Sequence, residues 1–144
     1  MIRAIPGLVV ATLLSCREAP PGLPDPPPPG ANNAVTIASF EEARSEALET
    51  GSPRSIGRLG MLFHAYQLHE DASVCYTLAS EQEPDSLDWV FYRALAEKAR
   101  YEYELADASF LRALELSPED AEIHAELGEL YLMWSRPDEA ETHL

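Results

Sequence analysis

The chain is poor in basic residues. Ten lysines and arginines stand against 25 aspartates and glutamates, which gives a formal net charge of −15 at pH 7. Nucleic acids and anionic lipid surfaces are bound largely through patches of Lys and Arg. The sequence therefore argues against a nucleic-acid-binding protein and against electrostatic attachment to a membrane surface.

Residues that usually carry chemistry are scarce or dispersed. The two cysteines, Cys16 and Cys75, do not have the paired spacing of a metal site. We find no glycine-rich phosphate loop, haem-attachment motif or nucleophile elbow. Four histidines, none three or four residues from another, are expected to be exposed or to lie at the edge of a groove: His64, His69, His124 and His143. We predict no catalytic residue, metal site, cofactor or small-molecule substrate, and hence no enzyme.

Long hydrophobic runs are missing from the N-terminal region. The apolar run at residues 8–14 follows one early positive charge, Arg3. Such a run is too short to span a bilayer but has the size of a secretion signal. The sequence predicts an exported protein.

Proline, in contrast, is concentrated between residues 18 and 30. The prolines of this segment are Pro20, Pro21, Pro24, Pro26, Pro27, Pro28 and Pro29. This composition is typical of a segment that does not pack and stays extended, at about 3.1 Å per residue. We expect a disordered linker that holds the following domain a few tens of ångströms from its attachment point.

One interval organises the rest of the chain. Ala72, Ala106 and Ala140 are spaced 34 residues apart, and Pro84 and Pro118 share that spacing. A period of this length indicates stacked helical hairpins, which bury a shared core and leave a long curved surface. Such a surface suits the binding of a partner better than a chemical reaction.

The first unit carries a complete set of restrained positions: Ile56, Leu59, Gly60, Phe63, Ala72, Tyr76, Ala79 and Pro84. These residues resemble the tetratricopeptide repeat. The resemblance implies an all-α fold, a solenoid of helical hairpins wound as a right-handed superhelix and preceded by the proline-rich linker. Its units would be residues 53–86, 87–120 and a truncated 121–144, with a capping helix at residues 36–50.

Small residues mark the expected closest approaches of the helices, at Gly60, Ala94 and Gly128. The second unit departs from the family pattern at Arg93 and Glu97. These two residues lie four apart and can pair, and we expect both to face solvent or a groove edge.

Cys75 is expected to be a small buried hydrophobe rather than a nucleophile. The third unit reaches only about two turns into its second helix before Leu144. We favour the interpretation that the chain is a fragment of a longer protein, with a frayed final hairpin as the alternative.

The residues Leu13, Leu14, Ser15 and Cys16 resemble the processing box of bacterial lipoproteins. That resemblance implies a signal peptide at residues 1–15, cleavage before Cys16 and lipid attachment to it, with residues 16–35 as a tether. The expected location is the bacterial cell envelope, with the lipid as the only membrane contact.

The family geometry implies a concave groove lined by the first helix of each unit. Its predicted contact residues are Arg54, Arg58, Met61, His64, Phe91, Leu95, Lys98, Glu129 and Leu132, with Gly57, Asp88, Glu122 and Ala125 on the same face. We expect an extended or helical peptide from a protein partner to bind there. Met61, Phe91 and Leu95 would be apolar anchors, and the three cations of the set would select acidic residues.

Two functions fit these observations. The first is a membrane-tethered, non-catalytic scaffold for protein–protein interaction in a bacterial envelope. The alternative is the N-terminal repeat region of a larger secreted protein whose enzymatic or cytochrome domain lies beyond Leu144.

Overall fold

The computed structural model describes residues 22–28 and 34–144, and the regular elements of this part are seven helices. They are α1 (Ala34–Thr50), α2 (Pro53–Ala65), α3 (His69–Gln82), α4 (Leu87–Ala99), α5 (Tyr103–Leu116), α6 (Ala121–Met133) and α7 (Pro137–Glu141). The predicted signal peptide and Cys16 lie outside the described residues. Within them, no helix combines the length and the apolar character needed to cross a bilayer.

The 34-residue period recurs in the turns. Helices α2, α4 and α6 begin 34 residues apart, at residues 53, 87 and 121. The turn that follows each of them holds one non-glycine residue in the left-handed region: Gln67, Tyr101 and Ser135, with φ of 60°, 62° and 60°. The same backbone turn therefore closes all three hairpins.

Local sequence sets the start of the first hairpin. The Ser52 side chain accepts a hydrogen bond from the backbone N–H of Ser55, and Pro53 occupies the first turn. A serine cap satisfies a donor that the helix leaves unpaired, and proline has no N–H to satisfy there. Asp120 caps α6 in the same way through the N–H groups of Glu122 and Ile123.

The helices pack in sequence order, each against the next, and α4 also contacts α6. Gly60 permits the close approach of α2 to α3, because a Cβ there would lie 2.9 Å from the Cβ of Cys75. Helix α1 covers the open side of the first hairpin, where the Phe40 ring lies 4.9 Å from that of Phe63. These contacts confirm the predicted all-α solenoid.

The prediction for Glu97 is wrong. Glu97 pairs with Arg93 at 2.8 Å, as its spacing predicts, but its side chain is only 3% exposed. It points between α4 and α5, where the Ser109 hydroxyl donates a hydrogen bond to it. The carboxylate is therefore an internal link between the two helices of the second hairpin, not a groove-edge charge.

The prediction that the proline-rich segment does not pack is also wrong for residues 22–28. This stretch has no regular secondary structure, yet Leu23 is 8% exposed and belongs to a buried hydrophobic cluster with Phe40, Phe63 and Tyr76, which we call the first core cluster. Arg44 of α1 donates to the Pro24 carbonyl at 2.9 Å and forms an ion pair with Asp25 at 2.8 Å. One apolar side chain and one guanidinium thus fix the segment against α1.

The third hairpin has a short second helix. Helix α7 buries Ala140, and the chain then continues in a turn to Leu144. The Leu144 side chain lies over Gly128, where an added Cβ would be 2.6 Å from its Cδ2. Leu144 is otherwise exposed.

Candidate partner-binding groove

The first cavity on the inner face of the solenoid is formed by α2, α3 and α4. It measures about 270 Å³ and is lined by Met61, His64, Ala65, Tyr76, Tyr92 and Leu95. Three of the predicted groove residues, Met61, His64 and Leu95, therefore lie together. The lining is mostly apolar, as expected for a site that receives a side chain of a partner.

A second cavity, of about 240 Å³, lies between α4 and α6. Its lining residues are Leu87, Asp88, Phe91, Tyr92, Leu95, Asp120, Glu122 and Ile123. Tyr92 and Leu95 belong to both cavities, so the two join into one surface along α4. We call this surface the α4 groove.

Aromatic contacts hold the floor of the α4 groove in place. The rings of Tyr76 and Tyr92 are stacked, with centroids 5.6 Å apart, and Phe91 meets the core residue Phe110 edge to face at 5.9 Å. Each groove aromatic is thus anchored to a residue of an outer helix. Such pairs favour fixed relative orientations of the rings.

Lys98 is not available to select acidic residues. Its ammonium forms ion pairs with Glu126 and with Glu129, the latter at 2.8 Å. Burial lowers the pKa of Lys98, but the hydrogen bonds that Lys98 donates to these two carboxylates outweigh it and raise the pKa above its usual value. Lys98 and Glu129, which were both predicted to contact the partner protein, therefore form an ion pair with each other.

The predicted arginine contacts do not form a basic patch in the α4 groove. Arg58 forms an ion pair with Glu46 of α1 at 3.0 Å and lines a different crevice, between α1 and α2. Arg54 is exposed and lines neither cavity. The expectation that these cations select acidic residues in the groove does not match their positions.

The remaining predicted positions divide between the groove and other surfaces. Asp88 and Glu122 line the second cavity, whereas Gly57 is covered by the ring of Trp89. Leu132 and Ala125 are exposed on α6 and line neither cavity. The apolar part of the prediction is therefore centred on α4.

The histidines do not lie apart as the sequence indicated. The Nδ1 atoms of His124 and His143 are 2.9 Å apart, and the rings of His64 and His69 meet edge to face at 5.1 Å. His64 and His69 lie on the two helices of the first hairpin, and His143 lies after α7 and contacts His124 of α6. Because the members of each pair belong to different elements, helical spacing along one element does not reveal the contact. His64 and His69 flank the short turn between α2 and α3, a proximity that the sequence could have shown, whereas nothing local indicates the contact of His143 with α6.

Among the described residues, the side chains with strongly shifted pKa values are held in their protonated forms. Burial, with a smaller effect from Asp71, raises the pKa of the Cys75 thiol to about 12. Burial and a hydrogen bond to Asp107 raise the pKa of Tyr131 to about 12. No group of three or more possible metal ligands occurs among residues 22–28 and 34–144.

Comparison with known proteins supports the repeat assignment. The family model described as a tetratricopeptide repeat matches residues 109–142, which include the end of α5 together with α6 and α7. Among solved structures, MamA from MSR-1 is 19% identical, with a TM-score of 0.70 over 76% of this chain and 64% of that chain. MamA from AMB-1 is 20% identical, with a TM-score of 0.71 over 76% of this chain and 66% of that chain.

This chain thus spans slightly less than two thirds of the length of these two structures. At such identities the likeness shows a shared helical solenoid. No curated protein matches the chain.

Proposed function

We propose that this chain, which belongs to the tetratricopeptide repeat proteins, is a non-catalytic scaffold that holds a segment of a protein partner in the α4 groove. The observation that carries the proposal is the sharing of Tyr92 and Leu95 by two cavities on the inner face. Two joined cavities suit side chains from successive turns of a bound segment. Met61, which lines the first of these cavities and is 42% exposed, adds to the apolar surface that a bound segment would cover.

A non-catalytic role agrees with the chemistry of the buried groups. A thiol with a pKa of about 12 stays protonated at neutral pH, and a cysteine attacks only as its thiolate. The pKa values of the Tyr76 and Tyr131 hydroxyls are also raised, which disfavours the phenolate form that could act as a base. These shifts support a structural use of the three side chains.

Site-specific photo-crosslinking would test the groove directly. A photoreactive residue is placed at Met61, which is 42% exposed in the groove, or at Leu111, which is 43% exposed on the outer helix α5. We expect a discrete crosslinked product at position 61 and none at 111. The two positions match in exposure, so equal products at both, or none at position 61, would contradict the proposal.

The place of action proposed here is a bacterial cell envelope, with the chain held by lipid on Cys16. Support comes from the lipoprotein-like residues before Cys16. Residues 22–28 pack on α1. With that packing, the five residues 17–21 separate Cys16 from Gly22, which limits the spacer to about 20 Å at full extension. The domain would therefore lie close to the membrane surface rather than a few tens of ångströms away.

Cell fractionation of Cys16→Ala tests the anchor. We expect the variant to move from the membrane fraction to the soluble fraction, with Cys75→Ala as the matched cysteine control that stays with the membrane. Recovery of Cys16→Ala with the membrane would refute the lipid anchor without bearing on the groove.

A further inference from the structure

The rim of the α4 groove carries negative charge. Asp88, Asp120 and Glu122 all line the cavity between α4 and α6, and no lysine or arginine is among its lining residues. Asp88 and Glu122 are exposed, so they face solvent beside the apolar floor. Asp120 uses one carboxylate oxygen to cap α6, which leaves its charge at the same rim.

Lys98, the one predicted groove cation on α4, does not compensate these carboxylates. Lys98 is already shared by Glu126 and Glu129, so that cluster keeps an excess negative charge. This rim would repel another carboxylate, whereas it would attract a lysine or arginine whose charged end stays at the exposed edge of the groove. The charge of the groove is thus opposite to the one expected from the sequence.

We infer that the segment bound in the α4 groove is cationic and amphipathic, with apolar side chains that enter the two cavities and flanking lysines or arginines that contact Asp88 and Glu122. The inference rests on the proposed function and adds the chemistry of the partner. Apolar contacts supply the affinity, and charge complementarity fixes which segments bind and how fast they associate.

The helices provide a matched set of variants. Asp88 and Glu122 lie in the first turns of α4 and α6, and Glu70 and Glu104 lie in the first turns of α3 and α5. All four are exposed and interact with a helix N-terminus. Asp88→Asn/Glu122→Gln and Glu70→Gln/Glu104→Gln therefore remove two charges each, with the same type of helix-end effect, but only the first pair alters the groove.

The experiment selects binders of the purified full-length chain from a displayed library of random 12-residue peptides. We expect the enriched peptides to combine apolar residues with Lys or Arg. Binding of these peptides should weaken by about tenfold in Asp88→Asn/Glu122→Gln, with a smaller dependence on salt, and stay within about twofold in Glu70→Gln/Glu104→Gln. Equal losses in both variants would mean non-specific attraction to an acidic protein and would overturn the inference.

A third variant, Leu95→Asn, separates this inference from the proposed function. Enriched peptides without basic residues that lose affinity in Leu95→Asn would overturn the cationic partner and leave groove binding intact. Peptides that bind Leu95→Asn and the wild type alike, or no enrichment at all, would overturn both. Thermal unfolding followed by circular dichroism establishes that each variant is folded before its affinity is interpreted.

Discussion

Ser109 Oγ donates a hydrogen bond of 2.6 Å to Oε2 of Glu97, which ties α5 to α4 through a buried carboxylate. The other oxygen of Glu97 accepts from Arg93 Nε at 2.8 Å. Each carboxylate oxygen therefore has one donor. A buried charge is tolerated when its hydrogen bonds are satisfied in this way, and the loss of either donor exposes the cost of burial.

Removal of the Ser109 hydroxyl should destabilise the protein. In Ser109→Ala the Oε2 atom keeps its burial but loses its donor, which costs about 1–3 kcal/mol in the free energy of unfolding. Ser80→Ala is the matched control, because Ser80 is equally buried but donates only to the Thr77 carbonyl of its own helix. We expect the control to cost about 0.5 kcal/mol or less. Urea unfolding measures both, and equal costs would show that Glu97 does not depend on Ser109.

The second hairpin shows what the sequence could and could not predict. The pairing of Arg93 with Glu97 follows from their spacing on one helix and is confirmed. The burial of Glu97 depends on Ser109, which is 12 residues away on another helix, and no local pattern contains that contact. The repeat period predicts which helices meet but not which polar side chains they enclose.

Two glycines at equivalent repeat positions should respond to alanine with opposite signs. The Cβ of Gly60→Ala would lie 2.9 Å from the backbone-fixed Cβ of Cys75, so α2 and α3 must separate, at a cost of about 1–3 kcal/mol. At Gly128 the three atoms nearest to the Cβ all belong to the side chain of exposed Leu144, which can move. Gly128→Ala should therefore stabilise α6 by about 0.5–1 kcal/mol.

The midpoint of thermal unfolding checks both variants. A fall for Gly60→Ala and a rise for Gly128→Ala is the expected result. A fall of similar size in both would indicate that Leu144 is held as firmly as Cys75.

The left-handed turn residues offer a third test. Gln67 has φ of 60° between α2 and α3 and is exposed, so its side chain can be changed without loss of core contacts. A non-glycine residue in this region destabilises the folded state by about 1–2 kcal/mol. Glycine removes this steric cost, but its greater freedom in the unfolded chain offsets part of the gain. Gln67→Gly should raise the stability by about 0.5 kcal/mol, and Gln67→Val should lower it by about 1 kcal/mol. A stabilising valine would contradict the assigned backbone angle.

The groove was predictable in its apolar part and not in its charge. The resemblance to the repeat family implies that Met61, Phe91 and Leu95 lie on inner faces, and the structure brings them to adjoining cavities. The sequence assigned Lys98 to the same face but did not show that Glu126 and Glu129 neutralise it. The packing of Leu23 on the first core cluster was missed for a similar reason, because proline content describes local stiffness and not long-range contacts.

The contact between His124 and His143 predicts a pH dependence of stability. His124 Nε2–H donates to the Pro118 carbonyl at 3.0 Å, so its Nδ1 accepts from the Nδ1–H of His143 at 2.9 Å. The contact needs a lone pair on one of the two Nδ1 atoms, so it is lost when both rings are protonated and two N–H groups face each other. Burial and the neighbouring His124 lower the pKa of His143, and the carboxylate of Asp107 partly opposes them.

A histidine whose pKa is lowered in the folded state binds its proton more readily in the unfolded chain. Its contribution to stability is complete above the unfolded pKa of about 6.5 and is lost as the pH falls through that value towards the lower pKa of the folded protein. The free energy of unfolding should therefore decrease between pH 7.5 and pH 5.5, and less steeply in His143→Asn. His64, whose pKa is lowered by burial and by His69, adds a second contribution of the same sign. An unchanged slope in the double variant His64→Asn/His143→Asn would show that other groups titrate in this range and that the histidine pairs do not.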